Sequence, residues 1–449
     1  MQSDLLRRYA VAVPRYTSYP TAPHFHAGID HNAYAKWLAA EDGEDALSLY
    51  LHIPFCDRLC WYCGCHTKQT KRYEPVAGYV EALLAEMALV ASRLPRRRRL
   101  GYIHMGGGSP TILSIADLAR LRTALETAFD IEADCEISVE IDPGFVDAEK
   151  LAAWRAFGVN RASVGVQDFH ADVQAAINRP QSFEQTAEVV SQLRDLQVGG
   201  INLDVVYGLP HQTLESLAQT LRLALSMQPD RFAIFGYAHV PWMKKHQTLI
   251  DEAALAGVEE RFAMQQLIAD MVTAEGYLAV GIDHFARPGD SLARALQSGQ
   301  VKRNFQGYTT DRAPSMIGLG ASAIGKVQAG YVQNIVATGE YMRSVSEGRL
   351  PIAKGFALSA TDRAVGSAIE QLMCSYSFSA RELRQEFGSA ADVLMSDAAR
   401  IVQQDIDGFT AFDGDRFEVL EPGRPFVRTI AASFDQYFGR NAARHSVAV

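Results

Sequence analysis

Short apolar runs alternate with longer amphipathic stretches between residues 46 and 240. The runs 47–53, 102–105, 136–141, 162–166, 201–206 and 232–237 have the length and side-chain content of strands. The stretches between them, such as 75–92, 115–128, 183–196 and 214–227, are amphipathic with helical spacing. This alternation predicts right-handed βαβ units and a parallel sheet. Six such units fit either a partial α/β barrel or a doubly wound sheet, and periodicity alone does not separate them.

The placement of chemically active residues tilts the choice. Cys56 follows the first run, the segment 106–111 follows the second, and Glu140 closes the third. Gln167 follows the fourth, Asp204 lies late in the fifth, and Ala238 follows the sixth. Barrels keep their chemistry at the C-terminal ends of all their strands, whereas a doubly wound sheet gathers ligands mainly at one switch point. The expected catalytic unit is therefore an α/β partial (β/α)6 barrel over residues 46–353. Residues 1–45 read as an N-terminal arm with Pro14, Pro20 and Pro23 and with aromatic residues from Tyr9 to Phe25. Residues 354–449 read as a mainly helical, winged-helix-like domain. Helices are expected at 362–375, 380–387, 390–404 and 426–438. A hairpin of 408–412 and 416–420 should turn at Asp413-Gly414.

Composition narrows the classes. With 449 residues, 48% of them hydrophobic, the chain is long enough for a sizeable core. A formal charge of −9 argues against a nucleic-acid partner. The N-terminus lacks the apolar run of a signal peptide, and no stretch reads as a span of ~20 apolar residues. A soluble cytoplasmic protein without membrane contact is expected, and the lack of a heptad seam suggests a monomer. The basic run 96–99 precedes the second strand, so it should be a solvated loop on the face opposite the chemistry.

Four of the six cysteines fall within ten residues, in Cys56-Asp-Arg-Leu-Cys60-Trp-Tyr-Cys63-Gly-Cys65. Clustered thiols in a long chain read as metal ligands rather than as a disulfide framework. Three thiolates on a loop of this length can take three corners of an iron–sulfur cube and leave the fourth iron open. A structural zinc site is the alternative, but it needs four closed ligands, usually as two separated pairs. Cys135 and Cys374 stand alone and read as buried bystander thiols. The Gly106-Gly107-Gly108 triplet would let a ligand approach bare backbone N–H groups, or else it is a structural turn. Glu140 would suit a cationic partner, or be a surface charge. Asp204, preceded by Leu203 and followed by two valines, needs a partner, either a structural Arg or a ligand hydroxyl or ammonium.

The C-x3-C-x2-C spacing, with Tyr62 before the last ligand, resembles the radical S-adenosylmethionine (SAM) superfamily. Further segments narrow the resemblance: RYTSYPT (15–21), YLHIPFC (50–56), GGGSPT (106–111), EIDP (140–143), GVQDF (165–169), NLDVVYGLP (202–210), DHFARP (283–288) and NFQGYTT (304–310). Together they are similar to the oxygen-independent coproporphyrinogen III oxidases, also called coproporphyrinogen dehydrogenases. The resemblance implies a [4Fe-4S] cluster on Cys56, Cys60 and Cys63, with SAM on the open iron. It implies two SAM molecules. One would meet Tyr50, Gly107, Glu140 and Ile324. The other would meet Tyr62, Gly108, Ser109, Gln167, Arg179, Asp204 and Ala238. Ser109 stands where threonine is expected and keeps the hydroxyl. Cys65 is implied to be required without being a cluster ligand.

The implied reaction turns two propionates of coproporphyrinogen III into vinyls, giving protoporphyrinogen IX. A deoxyadenosyl radical takes a hydrogen atom from the propionate β-carbon, carbon dioxide leaves, and one electron passes to an acceptor. An electron-donor protein such as a flavodoxin is compatible with this scheme. Arg15, Arg287, Lys302 and Arg303 lie in or beside the matching segments and would hold propionates. Tyr16 and Tyr19 would close over the barrel mouth. Two other readings share the three-cysteine motif: a haem-delivery chaperone and a radical methyltransferase acting on haem.

Overall fold

The computed structural model describes residues 2–439. One sheet of twelve strands organises the larger part. Its strands are β1 (Leu47–Ile53), β2 (Arg99–Gly107), β3 (Asp130–Ile141), β4 (Arg161–Gln167), β5 (Gly200–Tyr207) and β6 (Arg231–Gly236). They are followed by β7 (Leu278–Val280), β8 (His284–Ala286), β9 (Met316–Leu319), β10 (Ile324–Val327), β11 (Gly330–Asn334) and β12 (Ile352–Ala357). The spatial order is β12-β11-β10-β9-β1-β2-β3-β4-β5-β6-β8-β7. Strands β1 to β6 are parallel neighbours in sequence order. A doubly wound sheet would reverse that order part-way, so the expected barrel-type winding is what the chain adopts. β1 pairs on its other side with β9, and an antiparallel strand, β8, follows β6. The barrel is therefore partial.

The helices are α1 (Gln2–Tyr9), α2 (His31–Ala39), α3 (Glu74–Arg93), α4 (Ile115–Ala128), α5 (Ala148–Phe157), α6 (Phe183–Asp195), α7 (Leu214–Ser226) and α8 (Val258–Ala274). Local chemistry sets their ends. Ser114, Ser182 and Thr213 accept from backbone N–H groups as N-caps of α4, α6 and α7, and Gly158 closes α5 in a left-handed conformation. Along β1 to β5 one face packs on the helices: Leu49, Leu51, Ile103, Val139, Val164 and Leu203 are buried. The alternate positions Tyr50, His52, His104, Ser138, Glu140, Ser163, Asn202 and Asp204 point to the other face. Period-two alternation thus gives the barrel a polar lumen.

After β12 come α9 (Ala360–Ser375), α10 (Ala380–Phe387), α11 (Asp392–Gln404) and α12 (Val427–Ala432). A small antiparallel sheet, in the order Ser377–Ser379, Arg416–Val419, Thr410–Phe412, joins them as a wing. Its own core gathers Phe378, Phe417, Phe434, Leu372 and Leu394.

Several expectations change. The final helix expected over 426–438 is only Val427–Ala432. The arm carries two helices, and Tyr34 and Leu38 of α2 join the barrel core. Strand β12 runs across position 353/354, where a domain break was expected. Helix α3, with 20 residues, is long and apolar enough to cross a membrane by length and composition, contrary to the expectation that no stretch would be. Its Tyr79, Val80, Leu83 and Met87 are buried in the barrel core. The basic run is solvated as expected at Arg96, Arg97 and Arg99, but not at Arg98. Arg98 is 3% exposed and donates to the Asp45 carbonyl at 2.8 Å, and Arg97 donates to the Phe129 carbonyl at 2.8 Å.

Candidate active site

The cysteine loop leaves the C-terminal end of β1 and is stapled at both ends. Phe55–Cys56 pairs with Lys68–Gln69, and Cys56 Sγ lies 3.0 Å from Thr67 Oγ1. The segment after β6 clasps the loop from one side. Lys244 Nζ donates to the Cys65 carbonyl (3.0 Å), His246 Nε2 to the Cys63 carbonyl (2.7 Å), and Gln247 Nε2 to the Tyr62 carbonyl (2.8 Å). The segment after β4 holds the other side, where Asn178 Nδ2 donates to the Leu59 carbonyl at 2.9 Å and Trp61 N to the Ile177 carbonyl at 2.9 Å.

The four loop thiols are free of disulfides. Burial pushes the Cys56 thiol up to about 12 and also raises Cys60, whose rise Arg179 opposes. Cys63 is drawn down to about 7, first by the hydrogen bond with Cys65, while the Cys65 thiol is raised by that same contact. Cys65 is exposed at the loop tip. Among the described residues no three His, Cys, Asp or Glu side chains converge on a single-ion site.

Around His52 the first group of expected contacts assembles. Tyr50 Oη donates to His52 Nδ1 (2.8 Å), and His52 Nε2 donates to the His66 carbonyl (2.8 Å). Burial lowers the His52 imidazole to about 4, so it is neutral, with its proton on Nε2. Gly107 has φ of +106°, and a Cβ there would sit 2.3 Å from the His52 ring. Only glycine fits. Glu140 Oε2 accepts from Gly107 N (3.0 Å), and Oε1 lies 3.4 Å from His104 Nε2. Burial would raise this carboxylate, yet His104 and the Gly107 N–H outweigh it and hold Glu140 ionised. Ile324 lies at the start of β10 against Gly318, the register partner of Tyr50.

The second group borders the same lumen. Arg179 is buried and donates from Nη1 to Asp142 (3.0 Å) and to Cys60 Sγ (3.4 Å), and from Nη2 to the Gly165 carbonyl (3.0 Å). Gln167 ends β4 at φ +64°, a strained position for a residue with a Cβ. Asp204 accepts from Ser163 Oγ (2.7 Å) and Asn202 Nδ2 (2.7 Å). Among the described residues no Arg pairs with it, so its partners there are neutral donors rather than the structural Arg that was the alternative. Burial, opposed by Ser163 and reinforced by Glu140, raises its carboxyl to about 7. The Ala238 carbonyl shares the Gln247 amide with Tyr62.

The glycine segment differs from expectation. Gly108 N donates to the Ile53 carbonyl (2.8 Å), Ser109 N to the Phe55 carbonyl (2.7 Å), and Gly107 N to Glu140. These N–H groups are committed to the protein, so they are not bare donors for a ligand. A Cβ on Gly108 would meet the Phe55 carbonyl at 2.5 Å, which makes the triplet a close seat for the cysteine loop. Two proposed propionate holders also move away. Arg287 donates to the Pro229 carbonyl (3.0 Å) at the N-terminal end of β6, and Lys302 is exposed, 4.0 Å from Glu370. Tyr16 and Tyr19 are not a lid: both are buried in the C-terminal core, and Tyr16 Oη donates to Asp435 (3.0 Å).

Sequence reasoning missed His52, His104 and Asn202. Each lies two residues from, or in register with, a residue it did select, so strand alternation was the available signal. Polar atoms around the lumen remain open: Ser109 Oγ, Arg179 Nε and Asn202 Oδ1 are buried with no hydrogen-bond partner found. A polar ligand carrying hydroxyl, carboxylate and amino groups fits these atoms together with Glu140 and Asp204.

Residues 50–224 match the model of the radical SAM superfamily. A Bradyrhizobium diazoefficiens protein described as oxygen-independent coproporphyrinogen III oxidase is 46% identical over 450 residues, covering 100% of both chains. The chain belongs to the oxygen-independent coproporphyrinogen III oxidase family. A family member from Paracoccus denitrificans is 42% identical over 448 residues, covering 100% of this chain and 99% of its own. The solved coproporphyrinogen III oxidase of Escherichia coli, described as a radical SAM enzyme, superposes with a TM-score of 0.90 at 36% identity, over 94% of this chain and 98% of that one. Family membership carries a [4Fe-4S] cluster and SAM to this chain, where the loop and lumen just described accommodate them.

Proposed function

We propose that this enzyme decarboxylates two propionates of coproporphyrinogen III to vinyls without oxygen, giving protoporphyrinogen IX for haem synthesis. The full-length likeness to relatives of that description carries the reading, and a polar lumen capped by a three-thiol loop supports it. The same likeness favours it over haem delivery and haem methylation.

When bound, the cluster and SAM supply a deoxyadenosyl radical able to take a hydrogen atom from a propionate β-carbon. Cys56, Cys60 and Cys63 would hold the cluster, with Arg179 beside Cys60 favouring its thiolate. Cys65, exposed at the loop tip, would stay off the cluster. Glu140, held ionised, would receive an ammonium, with Tyr50, Gly107 and Ile324 forming the rest of that contact. Asp204, near its midpoint at neutral pH, would take a hydroxyl or ammonium of a second SAM, bordered by Tyr62, Gly108, Ser109, Gln167, Arg179 and Ala238. The neutral His52 keeps the Tyr50 hydroxyl oriented and adds no charge beside the cluster loop. The enzyme so read is a cytoplasmic monomer served by a small one-electron donor protein such as a flavodoxin.

Anaerobic incubation of the reconstituted enzyme with a reductant, SAM and coproporphyrinogen III should yield protoporphyrinogen IX with 5′-deoxyadenosine. SAM cleavage without loss of carbon dioxide would refute the substrate. Equilibrium binding should saturate at two SAM per chain, and saturation at one would remove the second molecule.

A further inference from the structure

The segment after β6 has an inner and an outer side. Lys244, His246 and Gln247 turn inward and hold the carbonyls of Cys65, Cys63 and Tyr62. The side chains between and beside them turn outward. Met243 is 64% exposed, Leu249 58% and Trp242 48%, and Lys245 is exposed as well. Among the described residues eleven large apolar side chains are exposed, and three of them fall within these eight positions. A fourth, Val336, reaches the same loop from the segment after β11, where its backbone is hydrogen-bonded to His66. Single exposed apolar side chains are ordinary, but a gathering of them beside one loop marks a contact surface.

The same place is positive. Residues 57–72 and 239–250 carry six Lys and Arg against one acid, Asp57, in a chain of net charge −9. Lys68 and Lys244 both act on the His66 imidazole, so they stand together around it. Lys68 lies over the Phe55 ring, Arg58 donates to the Pro180 carbonyl, and Lys244 donates to the Cys65 carbonyl. Among the described residues none of the six is in an ion pair. The acids that follow, Asp251 and Glu252, are taken up by Ala253 N (3.0 Å) and His239 (2.9 Å).

Small molecules are recognised in concave pockets that bury them, whereas Met243, Lys245 and Leu249 stand out into solvent, which suits the face of a protein. The charge selects an acidic one. The position selects its task, because His246 is bonded to the carbonyl of Cys63, a cluster ligand in the reading above, and electron transfer slows steeply with distance.

We infer that Met243, Lys245 and Leu249, with the basic residues around the cysteine loop, form the docking surface for an acidic one-electron carrier protein that feeds the cluster. The inference rests on the radical SAM reading above, in which the electron comes from outside, and adds where its carrier sits. One electron leaves the carrier's reduced flavin, which is oxidised by one, and enters the cluster, which is reduced by one. No covalent bond forms between the two proteins.

The test is binding of an acidic flavodoxin to the reconstituted enzyme, by calorimetry at low and high salt. Wild type should bind, with an affinity that falls as salt rises. Met243→Asp and Lys245→Glu should each weaken binding by ~10-fold or more and slow flavodoxin-driven turnover in step. Ile406→Asp, which charges an even more exposed apolar side chain in the C-terminal unit, should change neither. With dithionite as reductant, all four proteins should hold the same iron and form protoporphyrinogen IX at the same rate. Unaltered flavodoxin binding by both Met243→Asp and Lys245→Glu, or no binding by wild type, would overturn the inference while leaving the reaction in place. A dithionite-driven rate lowered as far as the flavodoxin-driven one would do the same. So would weaker binding of coproporphyrin III, or a loss of self-association, in these variants, since the surface would then belong to the substrate or to a second copy. Failure of dithionite-reduced wild type to convert coproporphyrinogen III would overturn the reaction instead, and the binding measurement alone would still decide the surface.

Discussion

Asp204 offers a test in which stability and function move in opposite directions. Its carboxyl ionises near 3.8 in an unfolded chain and near 7 in the folded one, chiefly because burial disfavours the charge. Between these values the native state binds more protons than the unfolded state, so stability falls as pH rises through the window and the full penalty is present above pH 7. A shift of this size corresponds to at most ~4 kcal/mol. Partial solvent contact, and the two donors lost on substitution, reduce the net effect to ~2 kcal/mol. Asp204→Asn does not titrate and removes the penalty. For 449 residues the unfolding entropy is roughly 0.9 kcal/mol/K, so Tm should rise by about 2 °C at pH 8. At pH 4 the variant should be no more stable than wild type. Calorimetry of both proteins, freed of cluster and SAM, across pH 4 to 8 measures this directly. The same variant should bind SAM more weakly and lose most turnover. A variant less stable than wild type at pH 8, with no pH trend in the difference, would refute the assignment of a buried, strained carboxylate.

Two other substitutions probe how the site is held. Gly107→Ala combines a left-handed backbone with a Cβ driven into the His52 ring, so it should cost about 2–5 kcal/mol and lower iron retention; a wild-type Tm and iron content would contradict the close seat. Tyr79→Phe removes a buried hydroxyl that donates to the His52 carbonyl (2.7 Å) and accepts from Ala321 N (2.9 Å), so it should cost ~1–3 kcal/mol by calorimetry, and no change would mean those groups find other partners.

Much of the barrel was legible because its signal is local. The first run, 47–53, coincides with β1 because it is a short apolar run, and 115–128 coincides with α4 because helical periodicity and an N-cap serine define it. The elements that were not anticipated depend on distant partners. β9 to β12 are short, and they exist because they extend the sheet edge beside β1. The arm lacks a periodic pattern, yet Val13, Tyr16 and Tyr19 are fixed by burial in a core formed by residues beyond 360. The cysteine loop and Glu140 could be picked out from spacing and strand position. Asn202 and His104 needed the register between strands. Arg287 was misplaced because its segment matches the family while its strand, β8, runs antiparallel and carries it to the opposite end.

The central claim is that three thiols hold the cluster and the fourth does not. Single alanine variants of Cys56, Cys60, Cys63 and Cys65, reconstituted anaerobically, should be compared for iron content, visible absorption and protoporphyrinogen formation. The first three should lose the cluster absorption and all turnover. Cys65→Ala should keep the iron and the absorption while losing turnover. An iron-replete and active variant at position 56, 60 or 63, or loss of iron at 65, would contradict the account.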